Sequence, residues 1–479
     1  MPPPVPEPGQ DRRRNAWILG GLVAAGALLR LFRLGVPSLW TDELFTADRY
    51  RESLWTVVRQ SDPFPPLYYV LGKLWSLVAG LSEAALRFPS VVYSALGIVA
   101  IYFLAAELFD RRTARLASAL LVFSPYSINY AQEAKMFSLF WLLGTVSFFF
   151  LCRYLRTGER RELWGYALAS IASIYTFYMG FVVIVVENLI FFALARRGRR
   201  RWGLAQIGIL LAYLPWAVRL LQATARRGDA MGWISAPDSA LAFLLKMAAT
   251  ITGNWREPPR PAELALYAIL LAAAWAGAVL IRRPREAAWT RGDTLATLAL
   301  VVPPILFLGV DRVAHHVLVV RYVGFAHIPL IILLARALAR MAPPLRALAA
   351  GLLIAGWSIF YLAPYYRDGL KIERQDWKGL VQRIEAQAAP DSVTVSDDFF
   401  TRLARYYVPG IQPVEELENF RGGSIFRIFK GPLYVPVGWD SPKPHVPEAS
   451  LTLPGGTYRL AAWTNQSQKL SCALYEKVR

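Results

Sequence analysis

RRRNAWILGGLVAAGALLRLFRLGVPSLWTDELFTADRY, residues 12–50, sets three features side by side: a basic cluster, an apolar run, and a pair of acids. The run extends from Ala16 to Leu34 and is broken only by Arg30 and Arg33; the acids, Asp42 and Glu43, follow among Trp40, Phe45 and Tyr50. A run close to the ~20 residues that cross a bilayer reads as a membrane helix. No small-residue cleavage site follows it, so a retained signal-anchor helix is expected, preceded by a Pro-rich cytoplasmic tail, residues 1–15. The whole chain agrees. Its 479 residues are 55% hydrophobic with a mean hydropathy of +0.33, too apolar for an ordinary soluble protein and typical of an α-helical polytopic membrane protein. Two cysteines, Cys152 and Cys472, exclude a disulfide framework and a Cys-based zinc site.

Further spans are expected near 88–109, 115–130, 136–154, 163–177, 180–195, 203–222, 263–281, 294–310, 317–338 and 345–363, eleven with the first. The pair within 163–195 meets at Tyr178-Met179-Gly180. Arginine clusters fall in alternate loops: 12–14, 111–115, 153–161, 196–201, 282–291, and Arg336, Arg340 and Arg346. With the N-terminus inside, eleven spans put every cluster on the cytoplasmic side. The net charge of +19 is then topogenic, and nucleic acid is not needed to explain it. A transmembrane domain over 16–364 is expected, with long external loops at 35–87 and 223–262 and shorter ones at 125–135 and 311–316. Residues 365–479 read as a small extracytoplasmic α/β domain: DWKGLVQRIEAQA is an amphipathic helix, and DSVTVSDD, YVPVGW and GTYRLAAWT are strands. There is no internal repeat.

Several constellations can carry chemistry, and each has a plainer reading. Thr41 can cap a short helix with Asp42 and Glu43 in its first turn; alternatively, one of the acids is a general base at the membrane boundary. In SDPFPPLYYVLGKLW (61–75), Tyr68 and Tyr69 are interfacial anchors or pocket residues, and Asp62 is a second candidate carboxylate. Arg87, in LRFPSVV, is a snorkelling helix-end arginine or an outer phosphate ligand. FSPYSINYAQEAKMFSL (123–139) offers Tyr130, Glu133 and Lys135, either as a polar hairpin with a local ion pair or as part of a pocket in which Lys135 faces an anion. Arg321 and Tyr322 sit at the outer end of a span, where an arginine is a functional candidate by default. His315 and His316 are adjacent and cannot share one helix face, so they make a weak metal signal. No cofactor is firmly implied, and a divalent metal is conceivable but unsupported. Glu187, in the middle of VVIVVENLIFF, is structural or functional.

Taken in order, these motifs resemble the GT-C glycosyltransferases of the protein O-mannosyltransferase and lipid A aminoarabinose transferase type (glycosyltransferase family 39). The residues are WTDELFT, FPPLYY, RFPS, SPYSINYAQEAKM, RYVGFAHIP and DWKG. The likeness is strong over about 16–150 and looser beyond. It implies inverting transfer of a hexosyl or pentosyl group from a polyprenyl (undecaprenyl- or dolichyl-type) monophosphate to an acceptor hydroxyl on lipid, glycan or protein, at the outer face of a bacterial inner membrane. Under it Asp42 is the base, Glu43 and Glu133 shape the sugar pocket, and Arg87, Lys135, Arg321 and Tyr322 bind the donor phosphate. One position departs: where the family commonly has His or Lys before Pro-Pro, this chain has Phe64. Either another cation replaces it, or the acceptor differs. A transporter or lipid flippase, and a non-catalytic sensor or assembly protein, are the competing classes; only Glu187 favours the first, and the second leaves the acid and cation motifs unexplained.

Overall fold

The computed structural model describes residues 8–59, 64–195, 197–227, 240–252, 290–314, 320–368, 375–396, 398–430, 448–454, 456–467 and 470–478. Asp62, His315, His316, the expected span 263–281 and the expected strand YVPVGW lie outside them. The chain forms two compact units: Met1–Phe32 with Leu54–Leu77 and Arg87–Arg367, and Arg33–Ser53 with Val78–Leu86 and Asp368–Arg479.

The first unit is helical. Its opening elements are α1 (Pro8–Leu31), α2 (Thr41–Arg51, which belongs to the second unit), α3 (Leu54–Arg59), α4 (Leu67–Ala79) and α5 (Glu83–Leu108). There follow α6 (Arg111–Phe123), α7 (Pro125–Ala131), α8 (Phe137–Thr157), α9 (Arg160–Thr176) and α10 (Gly180–Leu194). Later helices run Arg199–Arg227, Ala240–Thr252, Arg291–Ala314, His327–Arg340 and Pro343–Trp357, the last continuing through a π turn to Asp368. Among the described residues, four helical stretches are long and apolar enough to cross a membrane: Glu83–Leu108, Phe137–Thr157, Arg291–Val310 and Pro343–Arg367. Their outward faces stay apolar, as with Leu348, Leu352 and Phe360, while inward residues such as Ile98 and Leu151 join Trp202 and Ile331 of other helices in one continuous core.

Local chemistry sets the breaks. Asp110 starts α6 by accepting from the amides of Arg112 and Thr113, each at 2.8 Å. The expected span 115–130 is not continuous: α6 stops at Phe123 because Pro125 brings no amide proton and Ser124 caps a new helix, accepting from Ser127 N at 3.2 Å. The turn at Phe177–Met179 between α9 and α10 falls where the sequence puts it.

In the second unit the six strands are β1 (Val393–Ser396), β2 (Gln412–Pro413), β3 (Ser424–Lys430), β4 (Ser450–Leu453), β5 (Gly456–Ser467) and β6 (Leu470–Lys477), in the order β2-β1-β3-β6-β5-β4. β1 is parallel to β2 and β3, and the other pairs are antiparallel. Alternate residues such as Ala473 and Tyr475 of β6 point to a core shared with Val395, Ile425 and Tyr458. The helix Trp377–Gln387, capped by Asp376 through Gly379 N at 3.0 Å, and the strands at 393–396 and 456–467 bear out the α/β reading of this region.

Candidate active site

In the first unit the prolines 65 and 66 deliver an extended chain into α4, whose Tyr68 and Tyr69 are buried at 1% and 2% exposure. They are interior residues and not interfacial anchors. Tyr68 Oη lies 3.5 Å from Ser90 Oγ, and Ser90 Oγ donates to the Lys135 carbonyl at 3.3 Å. One polar chain thus ties the FPPLYY, RFPS and QEAKM segments together. The Lys135 ammonium sits 5.4 Å from the Phe64 ring centre, within cation–π reach. Phe64 stacks on Tyr178 at 6.2 Å, Tyr178 meets Tyr322 edge-on at 6.1 Å, and the Arg321 guanidinium lies 6.0 Å from the Tyr322 ring. Lys135 and Arg321 are therefore connected through three aromatic rings. Burial pushes the Tyr178 phenol well up and Tyr322 adds to this, with Arg321 opposing, so Tyr178 stays a neutral hydroxyl.

Tyr130 packs between Tyr126, Phe137 and Trp141, at 4.9, 5.1 and 5.0 Å. Glu133 is buried and faces Asn129, whose amide donates to Oε1 at 3.5 Å. Arg87 is fully buried, so it is no snorkelling arginine at a helix end.

A scaffold that the sequence reading passes over holds this segment. Arg30 is fully buried, and all five of its N–H groups are used. Nε donates to Ser94 Oγ, Nη1 to the carbonyls of Gly26 and Val122, and Nη2 to the Leu121 carbonyl and Ser127 Oγ, at 2.8–3.2 Å. Gln132 extends the scaffold. Its amide donates to the carbonyls of Arg30 and Phe32, both at 2.9 Å, and its oxygen accepts from Tyr365 Oη at 2.7 Å. His327 Nε2 and Ser124 Oγ are 2.9 Å apart. The available signal was the cost of an unpartnered arginine inside an apolar run, which demands a cage.

The acid pair belongs to the second unit. Trp40, not Thr41, occupies the N-cap of α2, and its side chain cannot accept a hydrogen bond. Glu43, fully buried, compensates by accepting from the Trp40 amide at 3.3 Å. Asp42 is half-buried, one position earlier in the same first turn. The Thr41 hydroxyl donates to Gln375 Oε1 at 3.1 Å. At the far end of the helix, Arg402 pairs with Asp48 at 2.8 Å and Glu52 at 3.4 Å.

Glu187 joins two helices of the first unit, accepting from Ser147 Oγ at 2.6 Å. It also borders a cavity of about 40 Å³, room for a water or two, among Leu104, Trp141, Thr145, Val183 and Phe325. Of the motif segments only RYVGFAHIP reaches that cavity, through Phe325, Ile328 and Pro329. Among the described residues no three His, Cys, Asp or Glu side chains group so as to hold a metal ion.

Residues 64–221 match the family model described as dolichyl-phosphate-mannose-protein mannosyltransferase. No curated protein matches the chain in sequence. Among solved structures, ArnT from Cupriavidus metallidurans in the apo state is similar, with a TM-score of 0.63 and 15% identity over 96% of this chain and 98% of that one. The same protein bound to undecaprenyl phosphate gives 0.59 and 14%, over 95% and 98%. The likeness to GT-C glycosyltransferases read from the motifs is borne out in sequence over residues 64–221, and the likeness to ArnT over nearly the whole chain is one of fold.

Proposed function

We propose that this chain is an inverting glycosyltransferase that moves a sugar from a polyprenyl monophosphate to an acceptor hydroxyl at the outer face of a membrane. Eleven spans, an inner N-terminus and an outer C-terminal domain are part of this reading, as is a place in a bacterial inner membrane. The observation that carries it is the run Lys135–Phe64–Tyr178–Tyr322–Arg321, which gathers two cations and three motif segments into one aromatic-walled cluster. A phosphate is the ligand such cations suit, and the apolar helix faces suit a prenyl tail. That ArnT has been seen with undecaprenyl phosphate supports the choice of carrier.

In the proposed reaction the acceptor oxygen attacks the anomeric carbon as the bond from that carbon to the phosphate oxygen breaks. The acceptor proton passes to the Asp42 carboxylate, and the electron pair leaves with the polyprenyl phosphate. A phosphate already leaves well, so no general acid is required. Arg87, Lys135 and Arg321, with Tyr322, offset the charge growing on it, an effect typically worth a few kcal/mol per preorganised donor. Tyr68, Tyr69, Tyr130, Glu133 and Asp62 shape the pocket for the sugar, and Glu43 fixes the turn that presents Asp42. Of the two explanations for Phe64, the structure of the cluster favours replacement: Lys135 brings its ammonium to the ring of that residue.

The test is transfer of radiolabelled sugar from a panel of undecaprenyl-phosphate hexoses and pentoses by the purified protein in nanodiscs, with bacterial envelope extract as acceptor. Asp42→Asn should abolish transfer while leaving binding of undecaprenyl phosphate intact. Full transfer by that variant refutes the mechanism. A flippase would instead move the labelled carrier between leaflets without consuming it.

A further inference from the structure

We infer that the C-terminal domain is part of the catalytic apparatus, and that Gln375, Lys378 and Tyr407 are positioning residues that aim Asp42. The inference rests on reading Asp42 as the base. The acid-bearing segment Arg33–Ser53 forms one compact unit with residues 368–479, and nearly every residue leading into Asp42 is tied to that domain. The Lys378 ammonium donates to the carbonyls of Gly35 and Val36 at 3.0 and 3.3 Å, and its backbone amide donates to Ser38 Oγ at 3.1 Å. The Leu39 amide donates to Tyr407 Oη at 2.7 Å. Gln375 Oε1 accepts from Thr41, the residue adjoining Asp42, and from Trp377 Nε1, each at 3.1 Å.

These groups also brace one another. Trp377, fully buried, stacks on Tyr407 at 5.9 Å with the rings 9° from parallel. Tyr407 Oη donates to Glu83 at 3.2 Å, and Glu83 pairs with Lys378 at 2.8 Å. The DWKG motif thereby acquires a physical role for each of its first three residues. Asp376 caps the helix, Trp377 wedges the tyrosine, and Lys378 grips the loop.

The arrangement has a reason. A helix whose N-cap residue is a tryptophan has no N-cap side chain to accept from its first amides, and Glu43 secures only the Trp40 amide, so bonds from outside add to the fixing of its start. A general base must reach its proton to within hydrogen-bond distance, and a displacement of about 1 Å is enough to cost ~10²-fold in rate. Fixing Leu39 and Thr41 on both sides of the Trp40 cap sets the direction in which the first turn, and with it Asp42, points.

The experiment compares Thr41→Val with Thr41→Ser, Tyr407→Phe with the parent, and Lys378→Met with Lys378→Arg in the nanodisc assay above. Hydrogen exchange of the 39–44 amides is measured on the same samples. Thr41→Val, Tyr407→Phe and Lys378→Met should each lower kcat tenfold or more with donor KM within twofold. They should speed exchange at 39–44 while the β3–β6 pair stays protected. Thr41→Ser and Lys378→Arg, which keep the bonding group, should recover most of the rate. Lys378 is 41% exposed along its side chain, so its replacement leaves folding least disturbed. If the three variants keep the parent kcat per folded molecule while Asp42→Asn is dead, the positioning role is overturned and the base survives. If Asp42→Asn is active, the base falls and this inference with it.

Discussion

Replacing Arg30 with methionine should destabilise the first unit by an amount the hydrogen-bond pattern sets. The five N–H bonds of Arg30 end on five neutral oxygens. Without them, the hydroxyls of Ser94 and Ser127, already 3.3 Å apart, can satisfy each other. The Gly26 carbonyl lies inside α1 and keeps the helix ladder. The carbonyls of Leu121 and Val122 are different, because they are among the last four of α6 and have no helical partner. Each buried acceptor left unmade costs about 1–3 kcal/mol, so two give about 2–6 kcal/mol. Arg30→Lys, with three donors in place of five, should fall between methionine and the parent. The assay is reversible SDS unfolding in mixed micelles, followed by tryptophan fluorescence. A methionine variant within about 0.5 kcal/mol of the parent, or a lysine variant weaker than methionine, would refute the cage as a stabilising device. Gln132 donates to the backbone carbonyl of Arg30, not to its side chain, so the anchoring of the 124–136 segment should survive in both variants.

Under the proposed reading, Lys135→Met should weaken undecaprenyl-phosphate binding and lower kcat together, by about 10²-fold in kcat/KM, with Lys135→Arg recovering part; unchanged donor KM would remove Lys135 from the phosphate site. A methyl group at Gly324 would collide with Tyr126 Oη and the Trp141 ring. Gly324→Ala should therefore cost about 1–3 kcal/mol in the unfolding assay and disturb Tyr130, which packs on both rings. Burial pushes the Cys472 thiol up to about 12, leaving a thiolate fraction near ~10⁻⁴ at pH 8. Maleimide should label it at that pH only after unfolding; rapid labelling of the native protein would contradict the packing of β6 on β3 and β5.

What could be read in the sequence, and what could not, divides along the range of the interactions. Helix and strand assignments rest on local periodicity, and the helix at 377–387 and the strands at 393–396 and 456–467 came through. The break at Ser124-Pro125 was written locally as well, in a capping serine followed by proline, but the apolar stretch on either side outweighed it. The cluster joining Lys135 to Arg321 was visible only as separate motifs, since aromatic contacts from Phe64, Tyr178 and Tyr322 leave no periodic trace. Tyr178 in particular looked like a turn residue.

The deepest omission concerns the acid pair. Nothing within ten residues of Asp42 announces that its helix folds with residues 368–479, because the ties are single polar bonds such as Thr41 to Gln375 and Leu39 to Tyr407. Glutamine and lysine are mostly surface residues and tyrosine is intermediate, so nothing in their type alone marks them as partners of the acid-bearing loop. A chain in which one acid pair depends on bonds made more than three hundred residues away has a specific vulnerability. Changes in its C-terminal domain should register first as lost turnover and only later as lost fold, the reverse of the order expected for an appended recognition module.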